Sequence, residues 1–127
     1  MDKKGGRISL TINGRAYTAR GKVEIMPATV EVTNDVNRNG TGYGMVKPKL
    51  AKAEIEFERS NDDNGVFLSD EDLLASFNLT IVEEDAGFIH YFTSARFSGT
   101  PSIDTESGAV SGMAAETDRG NYLRTRA

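Results

Sequence analysis

Apolar residues recur at every second position through most of the chain, and this alternation commits it to strands that bury one face. Ile8, Leu10 and Ile12 fall on one side of the first run, with Ser9 and Thr11 on the other. Asn13-Gly14 follows, the pair that best fits a tight hairpin turn, and 15–20 supplies a returning partner. Val23 and Ile25 alternate again until Pro27, which lacks the N–H a ladder requires, and the pattern resumes at Val30 and Val32. The clearest run is 52–59, where Ala53, Ile55 and Phe57 alternate with Glu54, Glu56 and Glu58. Strands are also expected at 78–84, from Phe88 to Phe97, and weakly at 109–117. Phe88, Ile89, Tyr91 and Phe92 are apolar on both faces, which predicts a central strand covered on both sides.

Between these runs, 34–49 reads as a long polar connection with glycines at 40, 42 and 44. Loops of this length in small domains are usually functional or mobile. One short helix of about two turns is expected to cover a sheet. Ser69 is its N-cap, Asp70, Glu71 and Asp72 sit at the positive end of its dipole, and Leu73, Leu74 and Phe77 share one side. The reading is a mainly β, antiparallel sandwich or barrel with one flanking helix. It forms one domain over 1–127, with an N-terminal arm at 1–6 and a polar C-terminal tail at 118–127.

Composition narrows function. With 127 residues, the chain can bury a core without covalent staples. Cysteine is absent, so disulfides and thiolate metal sites are excluded, in keeping with a reducing compartment. The charged start carries no following apolar stretch, so neither a signal peptide nor a membrane span is expected, and no membrane insertion by this chain alone. A net charge of -4 is the wrong sign for a binder that gains affinity by neutralising phosphates.

Chemical motifs are sparse. Ser60 to Glu71 partly matches a calcium loop, with Asp62, Asn64, Gly65 and Glu71 at ligand or turn positions. Ser60 replaces the first carboxylate, and the segment before it alternates as a strand, so a polar turn before a helix cap is preferred to a metal site. Gly40-Thr41-Gly42-Tyr43-Gly44 lacks the spacing of a phosphate-binding loop. His90 is the sole histidine and lies in an apolar strand, where a hydrogen-bonded structural role is expected. Glu83-Glu84 reads as solvated. No nucleophile, base and orienting group come together, and neither an enzyme nor a cofactor is expected.

The stretch 21–59 resembles the Mu-like tail tube family of contractile-tailed bacteriophages, which is related to type VI secretion tube proteins. The resemblance is carried by Val23-Glu24-Ile25-Met26-Pro27, Val30-Glu31-Val32, the Gly40 to Gly44 segment, and Lys47-Pro48-Lys49 leading into Ala53-Glu54-Ile55-Glu56-Phe57. The later order of helix, strand and long aromatic strand extends it over about 7–117. It implies hexameric rings whose inner sheets join into one barrel, stacked as a tube inside a contractile sheath. The implied partners are copies of itself, the sheath protein, tail terminator and baseplate proteins, with DNA in passage. The implied location is a virion tail assembled in the host bacterial cytoplasm, and a tube of a phage-derived bacteriocin or secretion device is the alternative. Under this resemblance, Glu24, Thr29, Glu31, Thr33, Glu54, Glu56 and Glu58 are expected to line the lumen. Asn39, Gly40, Gly42, Tyr43, Gly44 and Lys47 are expected at contacts between rings or neighbouring subunits.

Overall fold

The computed structural model describes residues 5–59 and 69–126. Ten strands and one helix follow in order: β1 Ile8–Ile12, β2 Arg15–Thr18, β3 Glu24–Met26, β4 Val30–Val36, β5 Gly42–Pro48, β6 Ala51–Glu58, α1 Asp70–Leu74, β7 Phe77–Glu83, β8 Phe88–Ile103, β9 Ala109–Thr117 and β10 Tyr122–Arg126. All named pairings are antiparallel. Asn13 and Gly14 both take positive φ (51° and 82°), the backbone that the β1–β2 turn requires.

The main sheet runs β2-β1-β7-β8-β9-β6-β3, with β10 also on β8, and it folds over on itself along β8. The first half of β8 pairs with β7 and β10, and its second half pairs with β9. This gives two layers, β2-β1-β7-β8-β10 and β8-β9-β6-β3. A bridge between Ala19 and Phe57 brings the β2 end of one layer to the other.

Alternation places the core between the layers. Leu10, Ile12, Leu79, Ile81 and Phe92 face it from one side, and Ala53, Ile55, Phe57, Met113 and Ala115 from the other, all buried. Tyr17 meets Phe57 edge-on at 5.3 Å, and Phe77 stacks on Phe97 at 4.0 Å.

Register also fixes what each layer turns outward. On the first layer two cross-strand rows emerge: Ala16, Thr11, Thr80, Tyr91 and Leu123, then Thr18, Ser9, Val82, Ile89 and Thr125. On the second the rows are Glu24, Glu54, Ala114 and Ser98, then Met26, Lys52, Glu116 and Arg96.

Four expectations change. The segment 34–49 is not a polar loop: its ends belong to β4 and β5, which form a ribbon joined by the turn at 37–41. Composition hid this, because glycines weaken strand propensity. The C-terminal tail contains β10, whose alternation is masked by Arg124 and Arg126. β8, expected to end at Phe97, runs on through Gly99 and Pro101 to Ile103, and a turn at 104–108 leads into β9. The helix is one turn, with Leu74 84% exposed and Phe77 already in β7, although the capping box of Ser69 and Asp72 is present.

Candidate assembly surfaces

The second layer gathers Glu24, Glu54, Glu56 and Glu58. Glu24 on β3 stands directly opposite Glu54 on β6. Glu54, Glu56 and Glu58 alternate with buried Ala53, Ile55 and Phe57, so burial of that apolar row forces the carboxylates outward. Glu116, Lys52 and Arg96 join them. Alternation within one strand could not select these, because the pairing order β8-β9-β6-β3 brings them together.

The layer is acidic, but its cations are tied up. Lys22 contacts Glu24 at 2.5 Å, Lys52 reaches Glu54 at 3.8 Å, Arg20 reaches Glu58 at 3.2 Å, and Arg96 reaches Asp118 at 3.1 Å. The hydrogen bond to Glu24 holds the Lys22 ammonium above the ordinary lysine pKa. Exposed pairs of this kind add little to stability. Their effect is to leave a polar surface with few cations available to an anion.

A shallow depression in this layer has Ser98, Gly99, Gly112 and Ala114 on its floor and Lys22, Lys52, Glu54 and Glu56 around it. Gly99 and Gly112 have φ of +89° and +78°, and a Cβ on either would lie 2.5 Å from a backbone oxygen of the opposing strand. The ladder shifts register here, between Gly99 and Ser102, which bends the layer. Both margins of the layer are open among the described residues: β3 pairs only with β6, and the 96–103 part of β8 only with β9.

The ribbon of β4 and β5 is the second surface. Every residue in both strands is exposed. One face carries Val30 opposite Pro48, Val32 opposite Val46, Asn34 opposite Gly44, and Val36 opposite Gly42. Its valines are 48–68% exposed. The other face pairs Glu31 with Lys47, Thr33 with Met45, and Asp35 with Tyr43, whose hydroxyl donates to Asp35 at 3.3 Å. Asn39 closes the turn by accepting from the Thr41 N–H and hydroxyl, beside Gly40. Thus Glu31 and Thr33, with Thr29 at the root of the ribbon, do not share the layer of Glu24 and Glu54. Asn39, Gly40, Gly42, Tyr43, Gly44 and Lys47 do lie together on the ribbon.

The model of the family described as phage tail tube protein matches residues 1–117. The chain belongs to the phage tail tube family. Among the solved structures that share its fold are two at 14% identity. One is a chain of the PVC extracellular contractile injection system described as sheath/tube terminator in the extended state, with a TM-score of 0.56 over 94% of this chain and 93% of that one. The other comes from the PVC sheath-tube complex in the extended state, with a TM-score of 0.54 over 95% and 89%. No curated protein sequence matches the chain.

Tail tube proteins are structural components of phage-tail-like particles, not enzymes, and His90 fits that role here. It is buried on β8, with Nε2 2.6 Å from the Glu83 carboxylate and Nδ1 2.7 Å from the Tyr122 hydroxyl. Nε2–H donates to the Glu83 carboxylate, which can only accept, and the Tyr122 hydroxyl donates to Nδ1. Burial raises the Tyr122 pKa, which keeps that donor protonated. The pairs pin β10 to β8 and β7. Of the calcium candidates, Asp62 and Asn64 lie outside the described residues, and Glu71 is exposed in α1. Among the described residues no cluster of three or more metal-ligating side chains occurs, and no helix is long and apolar enough to cross a membrane.

Proposed function

We propose that this chain closes into hexameric rings that stack as a hollow tube, with the β8-β9-β6-β3 layer lining the bore. The open margins of that layer carry the reading. Unpaired margins template pairing with another chain, and cyclic closure satisfies both at once. Glu24, Glu54, Glu56 and Glu58 then face the bore, with Glu116, Lys52 and Arg96 among them. Glu31, Thr33 and Thr29 reach the bore only where the ribbon extends this layer.

Such a surface suits DNA in transit. Each phosphate neutralised by a free cation adds affinity through counterion release, and affinity along a conduit acts as friction. Here Arg20, Lys22, Lys52 and Arg96 already have carboxylate partners. The test is a tube carrying Glu54→Lys and Glu56→Lys. Tubes of normal diameter should form while DNA ejection slows markedly, more so at low salt. Unaltered ejection would sink the assignment of the lumen face.

A sheath is the proposed partner around the tube, with tail terminator and baseplate proteins at its ends, in a virion tail assembled in the host cytoplasm. The likeness to chains of an injection system favours one alternative, a tube that carries no genome. Nuclease-protected DNA in purified particles separates the two: its presence supports a virion, and its absence supports the injection device.

A further inference from the structure

The first layer shows the opposite chemistry to the second. In a chain with 27% charged residues, neither of its two outward rows contains Asp, Glu, Lys, Arg or His. One end is apolar: Leu123 is 58% exposed and Tyr91 36%, beside partly buried Ile89 and Val82. The rest is Ser, Thr and Ala. The charges at its border, Arg7, Glu84 and Asp85, are engaged with each other, Arg7 at 2.8 Å from Asp85 and 3.9 Å from Glu84.

The sequence of β8 predicts cover on both faces, and the isolated subunit supplies only one. Depletion of charge with an exposed tyrosine and leucine side by side is the composition of a buried protein interface, not of a solvated sheet. Resting on the tube reading, the two layers lie back to back, so the face opposite the bore is the outermost surface of the tube. Neighbouring copies are met at the sheet margins and the ribbon, which leaves this face to whatever surrounds the tube. We propose that the rows centred on Thr80, Val82, Ile89, Tyr91 and Leu123 are the seat of the enclosing sheath subunit, which meets them with apolar and hydroxyl side chains instead of complementary charge.

Charge-free docking has two consequences. It does not weaken as salt rises, because no ion pairs are screened. It is intolerant of an introduced charge, which docking would bury without a partner. The experiment co-produces the chain with a contractile sheath protein from the same source and follows sheath co-sedimentation with tubes and negative-stain images. Thr80→Lys with Tyr91→Lys should leave bare tubes and lower co-sedimenting sheath roughly tenfold or more. Leu123→Lys, on the marginal strand β10, provides a second variant with less demand on folding. Wild-type co-sedimentation should be equal at low and high salt. Sheath retained on both variants overturns the proposal, as does wild-type docking that dissociates in salt. If wild type forms tubes and both variants form none, the face is a contact between copies and the sheath assignment is wrong. If wild type itself forms no tubes, the tube reading fails and this inference with it.

Discussion

Val32→Asp combined with Val46→Asp is expected to abolish tube formation while leaving a folded subunit with an unchanged melting temperature. These residues stand opposite each other on the ribbon, 59% and 68% exposed. Neither joins the core, so their loss costs the isolated fold almost nothing. A two-stranded ribbon is marginal in water on its own, and this one has a row of valines with no cover inside the subunit. Full burial of a valine contributes about 1.5–3 kcal/mol, so each half-exposed one has about 1 kcal/mol still to gain in an assembly. Two aspartates reverse the sign by requiring buried, unpaired charge. Thermal unfolding followed by circular dichroism, together with sedimentation of assembled material, checks both halves. Normal tubes from this variant would remove the ribbon from the interface, and a collapsed melting temperature would show that it packs within the subunit.

The second large effect is on the fold itself. Gly112→Val is expected to destabilise the subunit by roughly 3 kcal/mol or more, from a left-handed backbone imposed on a β-branched residue and a collision with the opposing strand. The Cβ would sit 2.5 Å from the Thr100 carbonyl oxygen, and backbone cannot yield as a side-chain tip can. For a chain of this size the melting temperature should fall by on the order of 10 °C. Gly40→Ala is the internal comparison. Its φ is similar at +87°, but a Cβ there meets nothing within 4 Å, so only the backbone term applies, about 1 kcal/mol. Equal losses at both positions would refute the close approach of β8 and β9.

Legibility in the sequence followed burial. Where one face of a strand enters the core, as at Leu10 and Ile12 or Ala53, Ile55 and Phe57, the period of two was plain and the strands are where alternation puts them. The ribbon failed this reading because it has no buried face: Asn34 on β4, and Gly42, Gly44 and Lys47 on β5, stand in strands whose every residue is exposed. β10 failed for a related reason, as its arginines sit on a marginal strand, Arg124 and Arg126 both over the Phe88 ring. Among the candidate lumen residues, Glu54, Glu56 and Glu58 were readable together because they share one strand. Glu24 joined them because β3 pairs with β6. Glu116 and Arg96 depend on pairings between distant segments, which periodicity does not encode. The uncharged outer face was visible only after register aligned Thr11, Thr80, Tyr91 and Leu123 across four strands.

The long strand β8 belongs to both layers, and this has a mechanical consequence. Its 16 residues span roughly 50 Å of continuous backbone, hydrogen-bonded to β7 and β10 at one end and to β9 at the other. The layers therefore cannot shear past one another without rupturing main-chain ladders, so in the proposed tube a push on the outward layer would be transmitted stiffly to the layer that lines the bore.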